Sequence, residues 1–156
     1  MMAQGCEAAL DAPPPVDVPR RNILVAAVAL VNQAGEVLIA SRPQGRDFAG
    51  YWEFPGGKVE AGETPAHTLM RELREELAIE TRPTCYWPLG FITHPYQLPS
   101  GEDVCYLVMT YVCRVWRGTI TPCEGQEVKW VPPKQLYNQN MLPSNLSLIA
   151  QMIDRV

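Results

Sequence analysis

Residues Gly56 to Ile79 read GGKVEAGETPAHTLMRELREELAI, and the reading of this stretch decides the fold. Its second half has the pattern of a helix. Thr64 is a suitable N-cap, and Pro65 fits the first helical position, where its missing N–H costs nothing. Ala66, Leu69, Met70, Leu73 and Leu77 then fall on one apolar stripe, the side expected to meet the core. Beside the stripe stand Glu72, Glu75 and Glu76, spaced i, i+3 and i+4. As bare anions they repel one another by roughly 0.2–0.5 kcal/mol per pair. Two readings are open here. One is a solvated acidic face relieved by Arg71–Glu75 pairing; the other is a site for a hard divalent cation, since Mg²⁺ and Mn²⁺ prefer carboxylate oxygens. The preceding loop favours the second. Gly56, Gly57 and Gly62 permit sharp turns and close approach to a ligand, and Glu63 adds a carboxylate at the helix entrance.

The spacing Gly57, five residues, Glu63, seven residues, Arg71-Glu72-Leu73, one residue, Glu75-Glu76 closely resembles the Nudix box, G-x5-E-x7-R-E-U-x-E-E-x-G-U, where U is aliphatic. Ile79 fits the last position, and Ala78 stands where the family has glycine. The match spans 23 positions with fixed polar identities at long spacing. The resemblance implies an α/β/α sandwich with a mixed β-sheet, whereas pattern alone gives only α/β or α+β. It also implies hydrolysis of a nucleoside diphosphate linked to another group. A divalent metal, Mg²⁺ or Mn²⁺, would neutralise the phosphates and activate water. Glu72, Glu75 and Glu76 are the implied ligands, with the Gly57 carbonyl as a main-chain ligand. Arg71 is expected to orient a carboxylate, with Glu63 as the candidate. The general base stays open among Glu72, Glu75 and a loop carboxylate.

Composition sets the bounds. The chain has 156 residues, of which 47% are hydrophobic and 19% charged, as expected for one soluble domain. No apolar run reaches membrane-spanning length. The net charge of −4 argues against a wide basic surface for a nucleic-acid polymer, but not against a small nucleotide. The five cysteines include no C-x-x-C pair, so a disulfide framework or zinc site is poorly supported and a reducing cytoplasm is the simpler setting. Monomer and homodimer both remain open.

Residues 1–19 are rich in Ala and Pro and read as a disordered tail before a single domain over 20–156. ILVAAVALV, within 22–31, predicts a strand buried on both faces, and 36–40 its returning partner in a hairpin. Trp52 and Phe54 are expected to pack, with Glu53 turned to the other side. A left-handed C-cap at Ala78 would cost on the order of 1 kcal/mol. Residues 84–93 read as a strand, 94–102 as a Pro/Gly loop, 104–116 as a long central strand and 127–131 as a short one. A terminal helix is expected from Ser144 or Asn145 onward.

Within the family the resemblance is to the MutT-like branch, which adds further candidates. Arg42 and Lys58 are expected at the substrate. Glu124, in CEGQEVKWV, would reach back to the metal or the water. Asn145, in LPSNLSLI, would read the base. An enclosed amide has an acceptor and a donor pair to set against the N7–H and O6 of 8-oxoguanine, and guanine lacks that N7–H. The alternative is that Asn145 caps the last helix. The expected reaction is therefore conversion of 8-oxo-dGTP to 8-oxo-dGMP and pyrophosphate. A CTP or modified-dCTP pyrophosphohydrolase is the alternative, and a non-catalytic nucleotide-sensing module is the alternative of another class.

Overall fold

The computed structural model describes residues 10–13 and 20–156, so most of the expected tail over 1–19 lies outside the described residues. The apolar run becomes β1, Arg21–Leu30. Its alternation decides the architecture. Ala26, Val28 and Leu30 face one core cluster with Leu69, Leu73 and Leu77, while Ala27 and Ala29 face another with Leu148, Ile149 and Met152. Side chains on a strand point alternately to its two faces, so β1 is covered by helix on both sides. The helices are α1, Pro65–Leu77, and α2, Leu146–Ile153.

The remaining strands are β2 Val37–Ser41, β3 Trp52–Glu53, β4 Gly56–Lys58, β5 Tyr86–Gln97, β6 Asp103–Cys113 and β7 Val128–Val131. They form two sheets rather than one, with orders β4-β1-β6-β5 and β3-β2-β7. The first is mixed: β1 runs parallel to β6, and the β1–β4 and β5–β6 pairs are antiparallel. The expected β1–β2 hairpin is reduced to one bridge, Val31↔Val37, after which β2 diverges to pair with β3 and β7. β2 contributes Leu38 to the α1 side and Val37 and Ile39 to the α2 side, so both sheets share the same two layers of core. The architecture is an α/β sandwich. Among the described residues, no helix is long and apolar enough to cross a membrane.

Two boundaries differ from the sequence reading. His94–Gln97 is not loop but the end of β5, paired with Asp103–Tyr106 of β6. Alternation of His94, Tyr96 and Leu98 with exposed neighbours carries the strand through Pro95, which an edge strand tolerates. Conversely, β6 stops at Cys113 instead of continuing to Trp116.

The start of α1 follows the sequence. Thr64 is extended, with φ −85° and ψ 161°, and its side chain accepts from the His67 N–H. The helix ends at Ala78, whose φ of 56° and ψ of 31° are left-handed. Gly118 packs over this turn, and a Cβ there would lie 3.2 Å from the Ala78 carbonyl oxygen. A left-handed L-residue costs about 1–2 kcal/mol. Glycine's extra freedom in the unfolded chain offsets about 0.4–1 kcal/mol of that. Ala78→Gly is therefore expected to stabilise the protein by about 0.5–1 kcal/mol, raising Tm by roughly 1–4 °C. A lower Tm by calorimetry would show that the Ala78 methyl contributes packing that outweighs the strain.

Candidate active site

A cavity of about 800 Å³ opens on the α2 side of the four-stranded sheet. Its floor is a cross-strand surface: Val25 and Ala27 of β1, Tyr106 and Val108 of β6, and His94 and Tyr96 of β5. Lys58, opposite Val25, brings β4 to the same surface. Gly56, Gly57, Glu60, Glu72 and Glu76 line it beside α1. Arg42, Arg46, Asp47 and Phe48 from the β2–β3 connection, and Leu142–Asn145 from the turn before α2, line it as well.

Arg71 joins the glycine-rich segment to α1. Its Nε and Nη2 donate to the two carboxylate oxygens of Glu63 at 2.8 and 2.9 Å. Nη1 donates to Glu72 Oε1 at 2.8 Å, and Nη2 reaches the Lys58 carbonyl at 3.3 Å. A planar fork can serve several acceptors at fixed geometry, which an ammonium cannot. The Arg71 hydrogen bond, reinforced by the Glu60 N–H, holds Glu63 down to about 2. Gly57 makes this arrangement possible, because a Cβ there would collide with the Glu72 carboxylate.

Glu76 has the opposite electrostatics. Burial, then the neighbouring charges of Glu72, Glu124 and Glu53, push its carboxyl up to about 9. Burial also raises Glu53, although Arg42 pairs with it at 3.0 Å and pulls the other way. The cavity rim thus concentrates more carboxylates than its cations neutralise. Hard oxygen donors in excess negative charge fit a divalent cation. Among the described residues, however, no three His, Cys, Asp or Glu side chains are gathered closely enough to hold one. Glu75 explains part of this, since its side chain is 54% exposed and turns to Arg71 at 3.6 Å. Of the expected ligands, Gly57, Glu72 and Glu76 line the cavity, and Glu75 and Glu124 do not.

The other expected contacts are distributed as follows. Arg42 lines the cavity but is also held by Glu53 and by the Asp47 carbonyl, 2.7 Å from its Nε. Lys58 Nζ lies 6.0 Å from the Tyr106 ring centre. Asn145 is 9% exposed, lines the cavity and makes no side-chain hydrogen bond to the α2 terminus, so the capping role is not what the structure shows. Glu124 sits in an exposed turn beside the C-terminal end of α1, within electrostatic range of Glu76. The sequence reading missed Glu53 as a cavity carboxylate and missed the aromatic wall. The stacked pair His94–Tyr96, with ring centres 6.3 Å apart, continues to Tyr106 at 6.1 Å. The rings at 94 and 96, two residues apart and so on one face of a strand, were the available signal.

Comparison with known proteins identifies the family. The NUDIX domain family matches residues 21–152. An 8-oxo-dGTP diphosphatase from Haemophilus influenzae is 34% identical over 135 residues, covering 86% of this chain and 94% of that protein. A CTP pyrophosphohydrolase from Escherichia coli K12 is 33% identical over 121 residues, covering 78% of this chain and 84% of that protein. Among solved structures, one from a structure and function analysis of MutT from Aliivibrio salmonicida and Vibrio cholerae superposes with a TM-score of 0.66. It is 28% identical and covers 87% of this chain and 100% of that one. With the loop–helix carboxylates in place and the family matched over most of its length, the chain belongs to the Nudix family and is a Nudix hydrolase.

Proposed function

We propose that this hydrolase converts 8-oxo-dGTP and water to 8-oxo-dGMP and pyrophosphate, with water attacking the β-phosphorus, as part of cleansing the nucleotide pool. The observation that carries the reading is the Asn145 amide. It is nearly buried, lines the same cavity as Glu72 and Glu76, and is not used to cap α2. An amide held there has its acceptor and donors free for a purine edge, and the wrong base would leave a buried polar group unpaired. The name of the Haemophilus influenzae relative supports the same assignment.

Nudix hydrolases use divalent metal ions, and here the ion is Mg²⁺ or Mn²⁺. Glu72, Glu76 and the Gly57 carbonyl, which line the cavity, would hold it, with Glu75 turning in from the helix and Glu124 from its turn. When bound, the metal neutralises the phosphate oxygens and activates water. The chain's own residues supply the rest. Arg71 holds Glu63 and Glu72 in fixed orientation, Arg42 and Lys58 hold the phosphates, and the carboxylate cluster accepts the proton from water. The substrate is a small nucleotide rather than a nucleic-acid polymer, consistent with a net charge of −4. Cys85, Cys105, Cys113 and Cys123 are free, which suits a reducing cytoplasm.

A second reading keeps the chemistry and changes the base. It is favoured by the relative named CTP pyrophosphohydrolase, and an amide can equally face the N3 and N4 edge of cytosine. A product assay over 8-oxo-dGTP, dGTP, CTP, 5-methyl-dCTP and ADP-ribose, with and without Mg²⁺, separates the two. The first reading expects metal-dependent pyrophosphate release with 8-oxo-dGTP highest in kcat/KM; a pyrimidine in first place would overturn the base assignment. Asn145→Ala is expected to reduce selectivity for 8-oxo-dGTP over dGTP by about 10–100-fold, for hydrogen bonds worth ~1.4–2.8 kcal/mol. Unchanged selectivity would remove Asn145 from base recognition. Glu76→Gln should lower kcat by on the order of 100-fold or more, given the several kcal/mol that metal stabilisation supplies. Full turnover in that variant would defeat the metal-site assignment.

A further inference from the structure

The end of α1 and the turn carrying Glu124 are joined by a single buried side chain. Gln126 is 8% exposed, and both ends of its amide are used. Its Oε1 accepts from the Glu124 backbone N–H at 2.8 Å. Its Nε2 donates to the Glu76 carbonyl at 2.9 Å, across 50 residues of sequence. The same carbonyl accepts the Cys123 N–H at 2.9 Å, and the Leu77 carbonyl accepts the Thr121 N–H at 2.9 Å. The last carbonyls of a helix have no partner within it, so a segment that supplies donors is fixed against the helix end. Here the segment supplies two backbone donors and one side-chain donor, and two of the three converge on Glu76.

We propose that Gln126 is a positioning residue for the reaction: it locks the Glu124 turn to the backbone of Glu76, so that the two carboxylates approach the phosphates as one unit. The inference rests on the role proposed for Glu124. No other side chain of the turn makes both contacts. Gln126 is set apart from ordinary core residues by having one hydrogen bond to each of two acidic positions. An apolar residue of the same length would keep the packing and lose the register between them. A glutamate would keep the acceptor for the Glu124 N–H and lose the donor to the Glu76 carbonyl. Outer hydrogen bonds of this kind typically cost 10–100-fold when removed.

The test is a double-mutant cycle with Gln126→Met and Glu124→Gln, assayed on the panel nucleotide that the wild type turns over fastest, so that a wrong base leaves the test intact. Gln126→Met is expected to lower kcat by about 10–100-fold with KM within about twofold. In the Glu124→Gln background the same substitution is expected to have no further effect. Gln126→Asn, which stays polar and uncharged but is too short to reach both partners, is expected to show the same loss and the same dependence on Glu124, and it carries the test if the methionine variant does not fold. Equal fold-losses in both backgrounds would overturn the proposal, because Gln126 would then act on the fold generally. Wild-type kcat in Gln126→Met would overturn it while leaving Glu124 in place. Wild-type kcat in Glu124→Gln would overturn it at its premise.

Discussion

One guanidinium facing too many carboxylates is the constraint on which this site depends. Arg71 takes both oxygens of Glu63 and one oxygen of Glu72, and so ties the glycine-rich segment to the helix it precedes. Its charge neutralises part of the cluster and no more. Glu76, on the next turn, is left beside Glu72, Glu124 and Glu53, with its carboxyl held far above the ordinary carboxylate range. A proton relieves such crowding. A divalent cation relieves it better, because it takes oxygens from several carboxylates at once. The same crowding that would be a defect in a structural helix here lies along a cavity.

The sandwich exists to hold that crowding against a cavity. β1 is the axis: one face seats α1 and the other forms the cavity floor and then the α2 core. β4 pairs with β1 at Val25↔Lys58 and Ala26↔Gly57, which sets the glycine backbone beside the base of the helix. The helix end is fixed in turn by the 121–126 turn. That attachment needs the Glu76 and Leu77 carbonyls to remain free, and the left-handed Ala78 ends the helix just beyond them.

Much of this was legible in residue order. Thr64, Pro65 and the apolar stripe set the helix, and Ala78 stood out as the one residue at odds with its position. The two-face burial of β1 followed from nine consecutive apolar residues, 23–31. What was not legible depended on partners distant in sequence. The split into two sheets follows from β2 leaving β1 for β7, and no local pattern encodes that choice. His94–Gln97 reads as loop because of Pro95, and only the place of β5 at the sheet edge makes that proline compatible with a strand. Glu53 showed only as an alternating residue; Arg42 and the cavity give it meaning. Gln126 was visible in the E-G-Q triplet, and only the fold shows what it grips.

The most direct test of the carboxylate account is the number of protons released when metal binds. The unfolded chain loses the Glu76 proton near 4.5 and the folded, metal-free protein keeps it to about 9. The metal-free protein therefore loses stability as pH rises through that window, and a metal that displaces the proton binds more tightly over the same range. Calorimetric titration of Mn²⁺ at pH 7.5, in buffers of different ionisation enthalpy, counts the protons. The account predicts about one proton released per metal bound, and none in Glu76→Gln. Metal binding by the wild type with no proton release would contradict it.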